Sequence, residues 1–185
     1  MTQRPVLYLV ACAAPPALRV RSGIEAGQDV GWDVCLILTP SSRRWLADDI
    51  PALEKLTGHP VRSEYKMPRE EDVLPPADAM LVAPATSNTI NKWASGISDT
   101  LALGLVTEAI GLQLPLTALP YCNNAQAAHP AFARSVEVLG DAGVTVMLGA
   151  GGFTPHPPGQ GDLDAYPWAE AVGTLIPRVR GGSSS

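Results

Sequence analysis

Four runs of nearly unbroken apolar residues, at 6–12, 33–39, 79–84 and 116–120, leave this chain few folds, and a fifth falls at 144–148. A strand with no polar side has no face to show to water. It belongs inside a parallel sheet covered on both faces, whereas an antiparallel sheet with one wet face would alternate. Between the runs, the periodicity predicts helices over 17–28, 41–47, 89–95, 101–110 and 130–142, the last stopped by Gly143 in a C-cap. Strand and helix in alternation define an α/β fold of three layers.

The chain has 185 residues, enough for one domain with a sizeable core, here taken as 1–177. Residues 149–167 concentrate Gly149, Gly151, Gly152, Gly159 and Gly161 with Pro155, Pro157, Pro158 and Pro167 around Phe153 and His156. A stretch of that length without structure of its own is a lid or binding segment, or else disordered. Residues 168–176 read as a short closing helix and 178–185 as a frayed end.

Thirteen basic against 18 acidic residues leave a net charge of −5, with no basic cluster longer than Arg43-Arg44, so nucleic acid is not an expected partner. No apolar run approaches the roughly 20 residues that span a bilayer. The expectation is a cytoplasmic protein with no membrane partner. Its three cysteines, Cys12, Cys35 and Cys122, form no CxxC pair and read as reduced thiols. His59, His129 and His156 are scattered, and no spacing matches a metal site.

In a sheet of this class the ligand crevice lies beyond the carboxyl ends of the strands. The residues there are Ala13-Ala14-Pro15-Pro16, Pro40-Ser41-Ser42, Ala85-Thr86-Ser87-Asn88-Thr89 and Tyr121-Cys122-Asn123-Asn124. Hydroxyls and free N–H groups at helix starts suit a phosphate, yet the same residue types also cap helices and nothing more. The glycine fingerprint of dinucleotide folds is absent, with Pro15-Pro16 in its place.

The segment from Pro84 to Leu101, reading PATSNTINKWASGISDTL, closely resembles the PASANT motif and the following Gly-x-x-Asp-Asn-Leu stretch of the homo-oligomeric flavin-containing cysteine decarboxylases. Leu38-Thr39-Pro40-Ser41-Ser42 is similar to that family's second phosphate turn, and Pro120-Tyr121-Cys122-Asn123 to its Pro-x-Met-Asn motif. The resemblance runs from about Pro5 to Leu148. It implies a Rossmann-like, flavodoxin-like subunit that binds FMN and assembles as a trimer or dodecamer. It implies cofactor contacts from Ala14, Ser41, Ser42, Thr86, Ser87, Asn88, Thr89 and Tyr121, and a catalytic Asn123 that orients a substrate carboxylate. The family's chemistry oxidises a cysteine side chain, after which carbon dioxide leaves from a thioaldehyde-like intermediate, so a small or peptidyl thiol is the implied substrate.

Departures from the pattern are specific. Where the family carries a catalytic histidine upstream of the motif, this chain reads Met67-Pro68-Arg69-Glu70-Glu71-Asp72. Glu70 or Glu71 is a candidate replacement if buried, or simply part of a solvated run. His59 and His129 read as structural. Cys122 and Gln126 replace two methionines, Thr100 replaces an asparagine, and no cysteine occupies 149–167, which disfavours coenzyme A biosynthesis. Cys122 is either a small buried substitute for methionine or a redox thiol near the flavin. Three functions remain open: a flavoenzyme acting on thiols, a flavin-binding or empty oligomeric scaffold, and a UbiX-like flavin prenyltransferase.

Overall fold

The computed structural model describes residues 4–176, so the expected tail at 178–185 lies outside the described residues. Each apolar run becomes a parallel strand: β1 (Val6–Ala11), β2 (Asp33–Leu38), β3 (Ala79–Ala85), β4 (Leu116–Pro120) and β5 (Val144–Val146). They form one sheet in the order β2-β1-β3-β4-β5. Leu9 of β1 stands between Leu36 of β2 and Leu81 of β3, all fully buried. A fully buried leucine contributes about 1.5–3 kcal/mol over an exposed one, which is why β1 and β3 admit no charged residue. The helices are α1 (Val20–Asp29), α2 (Pro40–Trp45), α3 (Ile50–Thr57), α4 (Ser87–Ala94), α5 (Leu101–Gly111), α6 (Asn124–Ala127), α7 (Pro130–Asp141) and α8 (Trp168–Gly173). Helix α1 packs with α8, and α4 packs with α5 and α7, so helices form the layers around the sheet.

The structure differs from the periodicity in three places. The expected helix at 17–28 begins instead as a 3-10 turn over Pro15–Arg19, because Pro15 and Pro16 hold φ near the helical value while supplying no N–H. The expected strand at 144–148 stops at Val146, where the chain doubles back and the Phe153 N–H donates to the Met147 carbonyl at 3.0 Å. Helices α3 and α6, eight and four residues long, lie outside the expected helices. The apolar α5 buries Leu101, Ala102, Leu103, Val106 and Ala109 against its neighbours.

Because β1 leads outward to β2 on one side and β3 continues to β4 and β5 on the other, the strand order reverses between β1 and β3. A crevice opens there, beyond the strands' carboxyl ends.

Candidate functional site

Two cavities occupy that crevice. The first, about 410 Å3, lies among the turns after β1, β3 and β4, with Ala14, Thr86, Ser87, Tyr121, Asn123 and His156 in its wall. The second, about 490 Å3, lies among the turns after β1, β2 and β3, with Ser41, Asn88, Thr89 and Lys92 in its wall. Ala13, Thr86, Ser87 and Gln126 border both, so the two are adjoining parts of one depression. All but one of the expected cofactor residues line it.

The exception is Ser42. Its hydroxyl donates to the Ala11 carbonyl at 2.7 Å and receives the Thr39 hydroxyl at 2.9 Å, and its side chain is fully buried. Ser42 therefore ties the start of α2 to the end of β1, while Ser41 beside it borders the cavity and accepts from Arg44 Nη2 at 3.0 Å. Thr86 caps α4, its Oγ1 accepting from the Thr89 N–H at 3.2 Å and donating to Thr89 Oγ1 at 3.0 Å. Thr89 in turn accepts from the Cys12 thiol at 3.3 Å. With the cap spent on Thr89, the amides of Ser87 and Asn88 at the positive end of α4 remain for a ligand's anionic group. The first turn offers less. Pro15 and Pro16 have no N–H, and the Ala14 N–H is taken by the Cys12 carbonyl at 2.8 Å. Lys92 lies one turn along α4 and is ion-paired with Asp99.

At the other end, Asn123 caps α6 in a reciprocal box. Its Oδ1 accepts from the Gln126 N–H at 2.9 Å, and its own N–H donates to Gln126 Oε1 at 3.1 Å. This fixes the amide orientation and leaves Nδ2, a two-proton donor, without a bond to any described residue at the cavity wall. Tyr121 anchors an aromatic group with Phe153 (ring centroids 5.1 Å apart), His156 (5.1 Å) and Tyr166 (6.0 Å). Desolvation, with Asp162 as a lesser influence, pushes the Tyr121 hydroxyl above its ordinary pKa, so it is a proton-bearing donor at neutral pH.

Residues 149–167 fold over this end. Phe153 and Tyr166 are buried, the Tyr166 hydroxyl donates to the Leu119 carbonyl at 2.6 Å, and the Asn124 N–H donates to the His156 carbonyl at 2.9 Å. Residues 157–162 are exposed. The segment is thus pinned at both ends with a bare glycine- and proline-rich middle. A Cβ on Gly161 would fall 2.8 Å from His156 Nε2 and in collision with the Tyr121 hydroxyl, so only glycine lets the segment pass this close.

The remaining candidates divide clearly. Residues 67–73 are exposed; Glu70 accepts the Met67 N–H at 2.8 Å, and neither Glu70 nor Glu71 borders the two cavities. His59 meets Asp33 Oδ1 at 2.9 Å, and His129 Nδ1 accepts the Ala131 N–H at 3.1 Å as the cap of α7, so both serve the fold. Cys122 is buried, and burial raises its thiol pKa, as it does for Cys12. An inert packing thiol fits those facts better than a redox one. Sequence reasoning missed His156 and Gln126 as members of the site. The first lies more than thirty residues beyond the nearest motif, and its only signal was a lone histidine in a loop rich in glycine and proline.

Comparison with known proteins agrees with the fold. A family model described as Flavoprotein matches residues 6–168. The coenzyme A biosynthesis bifunctional protein CoaBC of Thermococcus kodakarensis is 37% identical over 135 residues, 73% of this chain and 32% of that protein. The chain therefore spans about a third of the length of that relative. Among solved structures, the FMN-dependent cysteine decarboxylase SpaF superposes with a TM-score of 0.66 at 22% identity, covering 80% of this chain and 85% of that one. AnUbiX in complex with FMN and dimethylallyl pyrophosphate superposes with a TM-score of 0.65 at 14% identity, covering 78% and 77%. At those identities the two structures establish the fold alone. Among the described residues, no helix is long and apolar enough to cross a membrane.

Proposed function

The chain belongs to the flavoprotein family, and from that premise we propose that it binds FMN and uses it to oxidise and decarboxylate a substrate bearing a cysteine-like thiol. The observation that carries this reading is the convergence, on one crevice, of free amides at the start of α4 with the unspent Asn123 Nδ2.

The residues fit the cofactor's chemistry. An anionic phosphate suits the Ser87 and Asn88 amides, helped by the Ser41 hydroxyl and by the positive end of α4. The ring system suits the wall formed by Ala14 and Tyr121. When bound, the flavin supplies acceptance of two electrons, which no side chain of this protein can provide. The protein's own part is positional. Asn123 Nδ2 donates to the substrate carboxylate and holds it against the cavity wall. The 149–167 segment keeps water from the reacting carbon, its buried Phe153 and Tyr166 fixing it in place. Ser42 and Thr89 do not touch substrate in this reading; they keep the two phosphate turns in register with β1.

Visible absorption of the purified protein, with mass identification of any flavin released by acid, tests the cofactor. Stoichiometric FMN supports the reading, and turnover of a peptide ending in cysteine, followed by loss of the mass of carbon dioxide and two hydrogens, tests the reaction. A colourless protein that takes up no added FMN would favour the scaffold reading. The specific observation behind that alternative is the loss of phosphate donors at Pro15 and Pro16. Prenyl transfer to bound FMN, assayed with dimethylallyl phosphate, separates the UbiX-like reading. Assembly as a trimer or dodecamer belongs to the same proposal, and sedimentation showing only monomer would count against it.

A further inference from the structure

His156 is the one histidine with a buried ring nitrogen that lacks a hydrogen-bond partner. Its Nδ1 lies 2.8 Å from the Pro157 carbonyl oxygen. A carbonyl only accepts, so Nδ1 carries the proton and Nε2 of the neutral ring carries a lone pair. That Nε2 is buried and has no hydrogen-bond partner. An unpartnered buried acceptor is costly and calls for an explanation. The ring lies tilted against Tyr121 and in edge contact with Phe153, with centroids 5.1 and 5.9 Å away, and its backbone is paired with Asn123 and Asn124. It borders the same cavity as Asn123, and the backbone of Gly161 packs against it, so close that any Cβ there would stand 2.8 Å from Nε2.

We propose that His156 is the proton acceptor of this site, taking the proton of the substrate's thiol on Nε2. In that step the S–H bond breaks, its electron pair stays on sulfur as thiolate, and the proton forms the N–H bond of an imidazolium whose Nδ1–H remains on the Pro157 carbonyl. No electron leaves the pair, so no oxidant is needed for this step. The ionised sulfur then makes the neighbouring carbon a better electron donor to the flavin. The proposal rests on the thiol-substrate reading above and adds to it the residue that readies the thiol. Among histidines, carboxylates and other groups able to take a proton near neutral pH, His156 alone borders the first cavity.

The test uses the whole protein in two arms. In the first, His156→Gln and His156→Ala are compared with the unaltered protein for thermal midpoint, FMN uptake and turnover of a peptide ending in cysteine. The expected result is unchanged FMN uptake with turnover about 100- to 10,000-fold lower in both variants, the range for loss of a positioned acid or base. Turnover within a few-fold of the unaltered protein would overturn the proposal. The second arm does not need the flavin: nitrogen-15 NMR of ring-labelled histidine while the same peptide, and then free cysteine, is added. Nε2 of His156 should report an unprotonated nitrogen alone and a protonated one with thiol, and a control peptide with serine in place of the terminal cysteine should leave it unchanged. An Nε2 signal that is protonated from the start, or that ignores saturating thiol, would overturn the proposal even if the variants fold poorly. If the thiol protonates Nε2 yet the unaltered protein with bound FMN turns over no thiol, the decarboxylase reading fails while the proton-acceptor assignment stands.

Discussion

In the proposed function Asn123 has two jobs for one amide, and its two ends are separable by substitution. Aspartate keeps the Oδ1 acceptor that caps α6, so Asn123→Asp should fold with an unchanged thermal midpoint. It replaces the Nδ2 donor with a second negative oxygen facing the substrate carboxylate. Turnover of a cysteine-ended peptide should fall at least about 100-fold, as expected for losing a charge-assisted hydrogen bond and adding like-charge repulsion. FMN uptake should be retained, and a variant with native turnover would remove Asn123 from the site. The residue types of this end, Tyr121 and Asn123 among them, were legible in the sequence because they follow a strand directly. Their division of labour was not: that Ser42 turns into the core at 2.7 Å from the Ala11 carbonyl while Ser41 faces the cavity depends on which side of α2 each falls.

At the scale of elements, the closing helix α8 is held on α1 through Gly23, whose missing side chain admits the ring of Trp168. A Cβ there would stand 2.5 Å from Trp168 Cε3 and 3.2 Å from Leu9 Cδ2. Gly23→Ala gains helix propensity but overpacks a buried contact, and the second effect wins: about 1–3 kcal/mol lost against less than about 1 gained. A lower urea midpoint with an unchanged slope would show it; a rise would mean that α8 can shift aside without cost. Strands β1 to β4 were read from the sequence to within a residue or two, since continuous burial writes itself as a continuous apolar run. Helices α3 and α6 and the 3-10 turn at Pro15–Arg19 were not, because each is set by local capping and proline geometry rather than by an apolar face.

Across the whole molecule, burial raises the pKa of several acids at once: Tyr8 and Cys35 to about 12, and Cys12, Cys122, Tyr121 and Tyr166 upward. Each favours its neutral form when folded. Below the ordinary thiol value of 9.0 both folded and unfolded chains keep these protons and the groups add no pH dependence. Above it the unfolded chain ionises first, binding fewer protons than the folded one, so stability is lost between about pH 9 and about pH 12. Urea midpoints should be flat from about pH 7 to 8 and fall steeply by about pH 10.5, and a flat profile throughout would mean that these groups open to water. By itself the sequence determined the class of fold, the parallel strands and the turns at their carboxyl ends, because apolar runs and turn residues act over a few neighbours. Only the tertiary structure decided that residues 149–167 are clamped by Phe153 and Tyr166, and that His156 comes to rest against Tyr121 beside Asn123. Those contacts join residues more than thirty positions apart, and no local pattern encodes which distant loop a sheet edge will receive.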